Sequence, residues 1–215
     1  MASDHNIADI RKEYRLQTLL ENNVDPDPIQ QFKKWWDDAI ESHIEEVNAM
    51  TLATSTKDGR PSARMVLLKE VQDNGFVFFT NYESKKGKNL LENPQASLVF
   101  FWKELERQVR IEGIAKKISE KDSDDYFILR PEESKIGAWS SPQSQVISSR
   151  EILEKNFEKY IDEFADGTIL RPPYWGGYVV QPAVIEFWQG RPGRLHDRLQ
   201  YTAVNDGWKL ERLAP

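Results

Sequence analysis

The sequence predicts an α+β protein, mainly β, organised on an antiparallel barrel with helices set around it. Three observations predict this class. Short apolar runs rich in β-branched and aromatic residues recur along the chain, and turns at Asp58-Gly59, Asn74-Gly75 and Asp206-Gly207 separate several of them as hairpins. Helical patterns fall between the strands in no regular alternation, as expected of strands joined mainly by hairpins. Neither Gly-x-Gly-x-x-Gly nor Gly-x-x-x-x-Gly-Lys-Ser/Thr is present, which disfavours a doubly wound nucleotide-binding fold.

Residues 1–26 are polar and end in Asp25-Pro26-Asp27-Pro28, so they read as a mobile arm with a short helix. Residues 27–215 then read as a single domain, with no repeat or linker to divide them. Ile29, Phe32, Trp36, Ile40 and Ile44 recur at three- and four-residue steps behind Asp27 as N-cap and Pro28 at the first helical position. Strands follow at 50–56, 63–71 and 76–80. Ser84 caps a helix that Asn93-Pro94 stops, and strands resume at 96–103 and 108–118. Ser119 with Asp122 begins a helix reaching Arg130, where Pro131 opposes continuation. A longer helix spans 149–164, and strands at 177–188 and 194–213 close the chain.

Composition removes several functions. The net charge of −6 repels polyanions and argues against nucleic-acid binding. The absence of cysteine excludes disulfides, iron–sulfur clusters, thiolate zinc sites and cysteine nucleophiles, and three histidines leave little for a metal, so none is expected. No Gly-x-Ser-x-Gly is present, which weakens a hydrolase reading. No apolar run approaches ~18 residues and the opening segment lacks a signal pattern, so a soluble, cytoplasmic protein without a membrane partner is expected. Seven Trp, seven Tyr and ten Phe supply a stiff core and flat surfaces for a planar ligand or a partner.

Several constellations bear on chemistry. In Arg194-Leu195-His196-Asp197-Arg198, read as a strand, Arg194, His196 and Arg198 share one face, either a solvated edge or a ligand-facing row beside Trp188 and Gly190. Tyr126 and Arg130 lie four apart with Ser134 just beyond; this is a surface pair or a clamp for a phosphomonoester. Arg64 and Lys69 bracket Met65-Val66-Leu67-Leu68 at an odd spacing, so joint action on one ligand requires a bulge or contacts at different ends. Lys85-Lys86 open a helix, and Gln143-Ser144 lie on a polar loop, each serviceable for phosphate or simply solvated. Gln108 alternates with apolar neighbours and is equally compatible with facing water.

Taken together, Arg64-Met-Val-Leu-Leu-Lys69, Ser84-Lys-Lys-Gly87, Glu106-Arg-Gln108-Val-Arg110-Ile-Glu-Gly113, Arg130-Pro-x-x-Ser134-x-Ile-Gly-Ala-Trp139, Trp175-Gly-Gly177, Ile185-Glu-Phe-Trp-Gln-Gly190, Arg194-Leu-His-Asp-Arg198 and the closing Arg212-Leu-Ala-Pro215 resemble the pyridoxamine 5′-phosphate oxidase family. The resemblance runs from about Asp27 to Pro215, and Arg11-Lys-Glu-Tyr14 is similar to the family's N-terminal arm. It implies an FMN-binding split β-barrel working as a homodimer, with each flavin at the subunit interface. It implies that Arg64, Met65, Val66, Leu67, Leu68, Lys69, Phe79, Thr80, Lys85, Lys86, Gln108, Gln143, Ser144, Trp188 and Arg198 contact FMN. It further implies that Lys69, Tyr126, Arg130 and Ser134 hold the substrate phosphate, that Arg194, Leu195 and His196 lie at the substrate ring, with Arg194 and His196 the catalytic pair, and that Arg11 and Tyr14 close over it.

The activity implied is oxidation of pyridoxamine or pyridoxine 5′-phosphate to pyridoxal 5′-phosphate, hydride passing from C4′ to the flavin and O2 being reduced to H2O2, with NH3 released from the amine. The alternatives are a split-barrel flavin reductase, which has no need of the Tyr126, Arg130, Ser134 clamp, and a non-catalytic flavin or pyridoxal phosphate carrier. Two positions depart from the family pattern: Lys85 stands where Arg is usual, and Phe79 where Tyr is frequent. Glu46 matches an acidic position of the family.

Overall fold

Helix α1 (Pro28–Glu41) begins where a side-chain oxygen of Asp27 accepts a hydrogen bond from the Ile29 amide at 2.8 Å, with Pro28 in its first turn. The computed structural model describes residues 12–72, 74–165, 167–205 and 207–215 of the chain. Its strands are β1 (Ala49–Ser55), β2 (Pro61–Leu67), β3 (Glu70–Gln72), β4 (Gly75–Asn81), β5 (Gln95–Trp102), β6 (Arg107–Lys117), β7 (Trp175–Gln189), β8 (Asp197–Val204) and β9 (Gly207–Arg212). The other helices are α2 (Lys85–Glu92), α3 (Glu120–Ile128), α4 (Glu132–Ser140) and α5 (Glu151–Glu163). The sheet runs β2-β1-β5-β6-β7-β4-β3, with β8 on β7 and β9 on β8.

The chain forms two compact units. The central unit comprises Asn48–Leu98 and Glu112–Ala183. In it β1 pairs antiparallel with β2, β3 with β4, and β4 with the first part of β7, in the register Phe79↔Gly177 and Asn81↔Trp175. Phe127, Ile136, Ile169 and Trp175 form a buried cluster, against which Phe79, Tyr126, Trp139 and the α5 residues Phe157 and Tyr160 pack. Gly113 is required by a close backbone approach: a Cβ there would lie 2.0 Å from the Gln181 carbonyl oxygen.

The terminal unit comprises the described part of Met1–Val47 together with Val99–Ile111 and Val184–Pro215. The second part of β7 pairs with β8 from Val184↔Thr202 to Gln189↔Asp197, and β8 pairs with β9. Helix α1 buries Phe32 against Phe100, ring centroids 5.1 Å apart, and Trp35 edge-on against Phe187 at 5.1 Å. Arg107 lies over Trp35 at 4.4 Å and donates to Asp38 at 2.6 Å. Arg212 grips Glu21 with both sides of its fork, at 2.7 and 2.8 Å, and reaches Asp197 at 2.8 Å.

Two sequence expectations are corrected and one further helix is added. The strand expected over 63–71 is two strands, because the chain changes partner after Leu68: the Leu68 amide still donates to the Asn48 carbonyl opposite it at 2.8 Å, whereas the Lys69 amide donates to that of Val77 on β4 at 2.9 Å. Helix α3 ends at Ile128, ahead of Pro131, as the opposition of Pro131 to continuation predicts. Pro131 then N-caps a further helix, α4, where its missing N–H costs nothing, so Ser134 is helical. Strand β8 starts at Asp197, and Pro192–Arg194 form a 3₁₀ turn in which Gly193 and Arg194 have φ of +63° and +62°. The alternation that put Arg194 and His196 on the same strand face as Arg198 therefore does not apply.

Candidate active site

In the central unit a cavity of about 500 Å³ opens where β2, the break after it, β4, α2, the end of α3 and the start of α4 converge. Arg64, Met65, Val66, Leu67, Lys69, Phe79, Thr80, Lys86, Tyr126, Arg130, Ser134 and Gln143 all line it, joined by Pro131 and Trp175. The break after Leu67 brings Arg64 and Lys69 to one cavity despite their odd spacing. Leu68 is instead buried, and Lys85 and Ser144 are exposed away from the lining.

The guanidinium of Arg64 is held from behind. Its Nη1 donates to the Leu52 carbonyl at 3.1 Å and to Thr54 Oγ1 at 2.9 Å, and its Nη2 donates to Ser62 Oγ at 2.6 Å. Buried Asn89 donates in turn to Thr54 Oγ1 at 3.0 Å. Lys86 Nζ donates to Thr80 Oγ1 at 3.0 Å and to Gln143 Oε1 at 2.7 Å. Burial, and then the positive charge of Arg64, push the Lys86 ammonium down to about 8. Burial likewise lowers Arg64 and Arg130 from the usual guanidinium value.

Arg130 lies over the Trp175 ring at 4.5 Å. Its Nη1 is buried with no hydrogen-bond partner. A buried cationic N–H left without an acceptor is costly, so the site as built calls for an anion. Beneath it Phe79 stacks on Tyr126 with centroids 3.8 Å apart and on Trp175 at 5.3 Å. Phe79 is thus committed to a ring stack, in which its missing hydroxyl has no part.

A second cavity, of about 580 Å³, lies in the terminal unit and is lined by Lys12, Glu13, Tyr14, Arg191, Gly193, Arg194 and His196. Tyr14 meets Trp188 edge-on at 5.7 Å and His196 at 5.9 Å, and Trp188 and His196 are 4.7 Å apart. His196 Nδ1 accepts from the Arg191 amide at 3.1 Å, so in its neutral form the proton sits on Nε2. Burial, and then Arg194, lower the His196 pKa. Arg198 is engaged bidentately by Glu186 at 2.9 and 3.0 Å and donates to the Ala214 carbonyl at 2.8 Å; the bond to Glu186 raises its pKa. Gln108 is half-buried in this unit, Leu195 is 74% exposed, and Arg11 lies outside the described residues.

A family model described as pyridoxamine 5′-phosphate oxidase matches residues 36–162, and one described as the pyridoxine 5′-phosphate oxidase C-terminal dimerisation region matches residues 175–215. The chain belongs to the pyridoxamine 5′-phosphate oxidase family. The pyridoxine/pyridoxamine 5′-phosphate oxidase of Cyanothece sp. is 57% identical over 210 residues, which are 98% of this chain and 99% of that one. The solved structure of PhzG from Burkholderia lata 383, in complex with tetrahydrophenazine-1-carboxylic acid, superposes with a TM-score of 0.87 at 31% identity, covering 93% of this chain and 99% of PhzG. A pyridoxamine 5′-phosphate oxidase-related, FMN binding protein from Nostoc punctiforme shares the fold, with a TM-score of 0.69 at 16% identity over 86% of this chain and 97% of its own. The split β-barrel fold, the pyridoxamine-phosphate oxidase class and FMN as cofactor are thereby shown.

The central cavity fits this family's cofactor by its donor chemistry. FMN brings a phosphate monoester, a polyol and a flat ring; Arg64, Lys69 and Lys86 offer cations, while Thr80 and Gln143 offer neutral polar groups. Trp175, which the sequence offers only as part of a shared motif and not as a site residue, lines the cavity under Arg130. Its pairing opposite Asn81, next to Thr80, decides this, and nothing local in the sequence reveals that register.

Proposed function

We propose that this pyridoxamine 5′-phosphate oxidase family member works as a homodimer that oxidises pyridoxamine 5′-phosphate and pyridoxine 5′-phosphate to pyridoxal 5′-phosphate, in vitamin B6 salvage. Dioxygen is the acceptor: the alcohol and O2 yield aldehyde and H2O2, and the amine, O2 and water yield aldehyde, NH3 and H2O2. The observation that carries the reading is the buried, unpartnered Nη1 of Arg130 in a cavity shared with Tyr126, Ser134 and Lys69. FMN supplies the two-electron acceptor.

The residues' own tasks are binding and orientation. Arg64, Lys86 and Gln143 hold the flavin's phosphate and polyol. Arg64 is preorganised by Thr54 and Ser62, so little side-chain entropy is lost on binding. Lys69, Tyr126, Arg130 and Ser134 take the substrate phosphate, helped by the N-terminal turn of α4, from which Ser134 projects. Gln108, Trp188 and Arg198 complete the flavin site at the interface between two copies, which the match to a dimerisation region at 175–215 supports. Arg194, Leu195 and His196 cover the substrate ring, Arg194 orienting it and His196 positioning it or handling its proton, with Arg11 and Tyr14 as the closing arm.

The test is an absorption spectrum of the FMN-loaded protein under anaerobic addition of pyridoxamine 5′-phosphate, followed by air. Bleaching of the flavin bands and their return, with one H2O2 and one NH3 per aldehyde, is the expected result. Bands that persist would point to a reductase with another donor or to a carrier. Light scattering that finds a monomer with bound flavin would remove the dimer from the proposal.

A further inference from the structure

Glu106 has no part in the site described above, yet it is 3% exposed and sits at the turn between β5 and β6 with φ +54°, a left-handed conformation that glycine adopts more readily. A glutamate at such a position points to a use for its side chain. Its backbone is pinned: the carbonyl accepts from the Gly190 amide at 2.8 Å and from Gln189 Nε2 at 3.2 Å. Its carboxylate meets the N-terminal arm. Oε2 accepts from the Arg15 amide at 2.8 Å and the Leu16 amide at 3.1 Å, and Oε1 lies 3.7 Å from Lys12 Nζ.

These three contacts flank Tyr14 in the chain. Between them the Tyr14 side chain turns to Trp188 and His196, at 5.7 and 5.9 Å between centroids. Its back rests on Gly190, where a Cβ would fall 2.7 Å from Tyr14 Cβ. One carboxylate oxygen on two successive amides is a charge-assisted clasp, and it fixes the backbone on the C-terminal side of Tyr14. We infer that Glu106 is a positioning residue that clasps the arm so that Tyr14 stands beside His196, and that Gly190 is the space kept for that ring. The inference rests on the proposed role of Tyr14 and His196 at the substrate ring.

The experiment uses the FMN-loaded full chain as wild type, Glu106→Ala, Glu106→Gln and Gly190→Ala. It measures amide exchange at Arg15 and Leu16 beside kcat and KM for pyridoxamine 5′-phosphate. Glu106→Ala is expected to speed exchange at both amides and raise KM about tenfold, with kcat within about threefold and FMN occupancy unchanged. Glu106→Gln, which keeps an acceptor oxygen, falls between it and wild type. Gly190→Ala reproduces the KM rise with the carboxylate intact, and it carries the test if Glu106→Ala does not fold. Unchanged exchange at Arg15 and Leu16, or unchanged KM once they exchange fast, overturns the inference, and so does a parallel loss of kcat and flavin in all variants. If wild type itself fails to oxidise pyridoxamine 5′-phosphate, it is the proposed function that falls, and the exchange rates alone then decide the clasp.

Discussion

Lys86 Nζ donates to Oε1 of Gln143 at 2.7 Å, so an ammonium at the start of α2 is tied to a loop 57 residues further along the chain. The bond does not offset the cost of burying Lys86 near Arg64, and the ammonium stays down at about 8. From about 8 up to the ordinary lysine value, the unfolded chain holds a proton that the folded, flavin-free chain has released. Stability from this group therefore increases as pH rises through that window and is lowest below it. With the flavin phosphate at Lys86 as proposed, anion binding favours the ammonium, so FMN binding is expected to take up a proton there and to weaken as pH rises. FMN titrations are expected to show affinity falling on the order of tenfold between about pH 7.5 and 9.5, and Lys86→Gln to flatten that slope. A wild-type slope as flat as the variant's would contradict the assignment.

Arg130 combines a ring-stacked plane with an unpartnered Nη1. Arg130→Lys keeps the charge but loses the fork and the plane. KM for pyridoxamine 5′-phosphate is expected to rise ~30-fold, about 2 kcal/mol, while FMN content stays at the wild-type level. Steady-state kinetics beside the flavin-to-protein absorbance ratio check this, and an unaltered KM would remove Arg130 from the phosphate site.

His196 is held below the usual imidazole pKa by burial and by Arg194. It is therefore neutral at pH 7 and gains its proton only on the acid side of its ordinary value. The pH profile of kcat/KM is expected to be level from about pH 8 to 6.5 and to fall below, and His196→Ala to lower kcat/KM about 10- to 100-fold and abolish that acid limb. An acid limb that survives in the variant belongs to another group.

Gly113 has no room for a methyl group, with the Gln181 carbonyl oxygen 2.0 Å from where its Cβ would stand. Because the obstacle is backbone, relief requires the strands to part. Gly113→Ala is expected to cost about 3 kcal/mol and lower Tm by about 9 °C in a thermal melt followed by circular dichroism. A shift of under about 2 °C would show that this strand region yields more readily than its geometry implies.

Much of the architecture was legible locally. The Asp27-Pro28 start of α1, the Ser84 and Ser119 caps and the Asp58-Gly59 turn are written in adjacent residues, and the corresponding helices and hairpin are present. The misreadings have physical causes. Pro131 is rightly read as a stop, but helix α4 is missed because a proline is also tolerated at a helix start, where an amide has no partner to lose. Pro192 and Gly193 turn the chain before His196, and two consecutive left-handed residues there cannot be foreseen when one of them is Arg194.

The antiparallel, mainly β class, the helix starts, the family, and the cations proposed to meet cofactor and substrate are readable without coordinates. Those are properties of residue type and short spacing. Packing was needed to reveal that Arg64 and Lys69 share one cavity through a break in a strand, that Trp175 lies under Arg130, and that Glu106 holds the arm beside Tyr14. Each joins residues set by register or by a turn's φ, and those follow from the packing of the whole chain, which no short window of sequence carries.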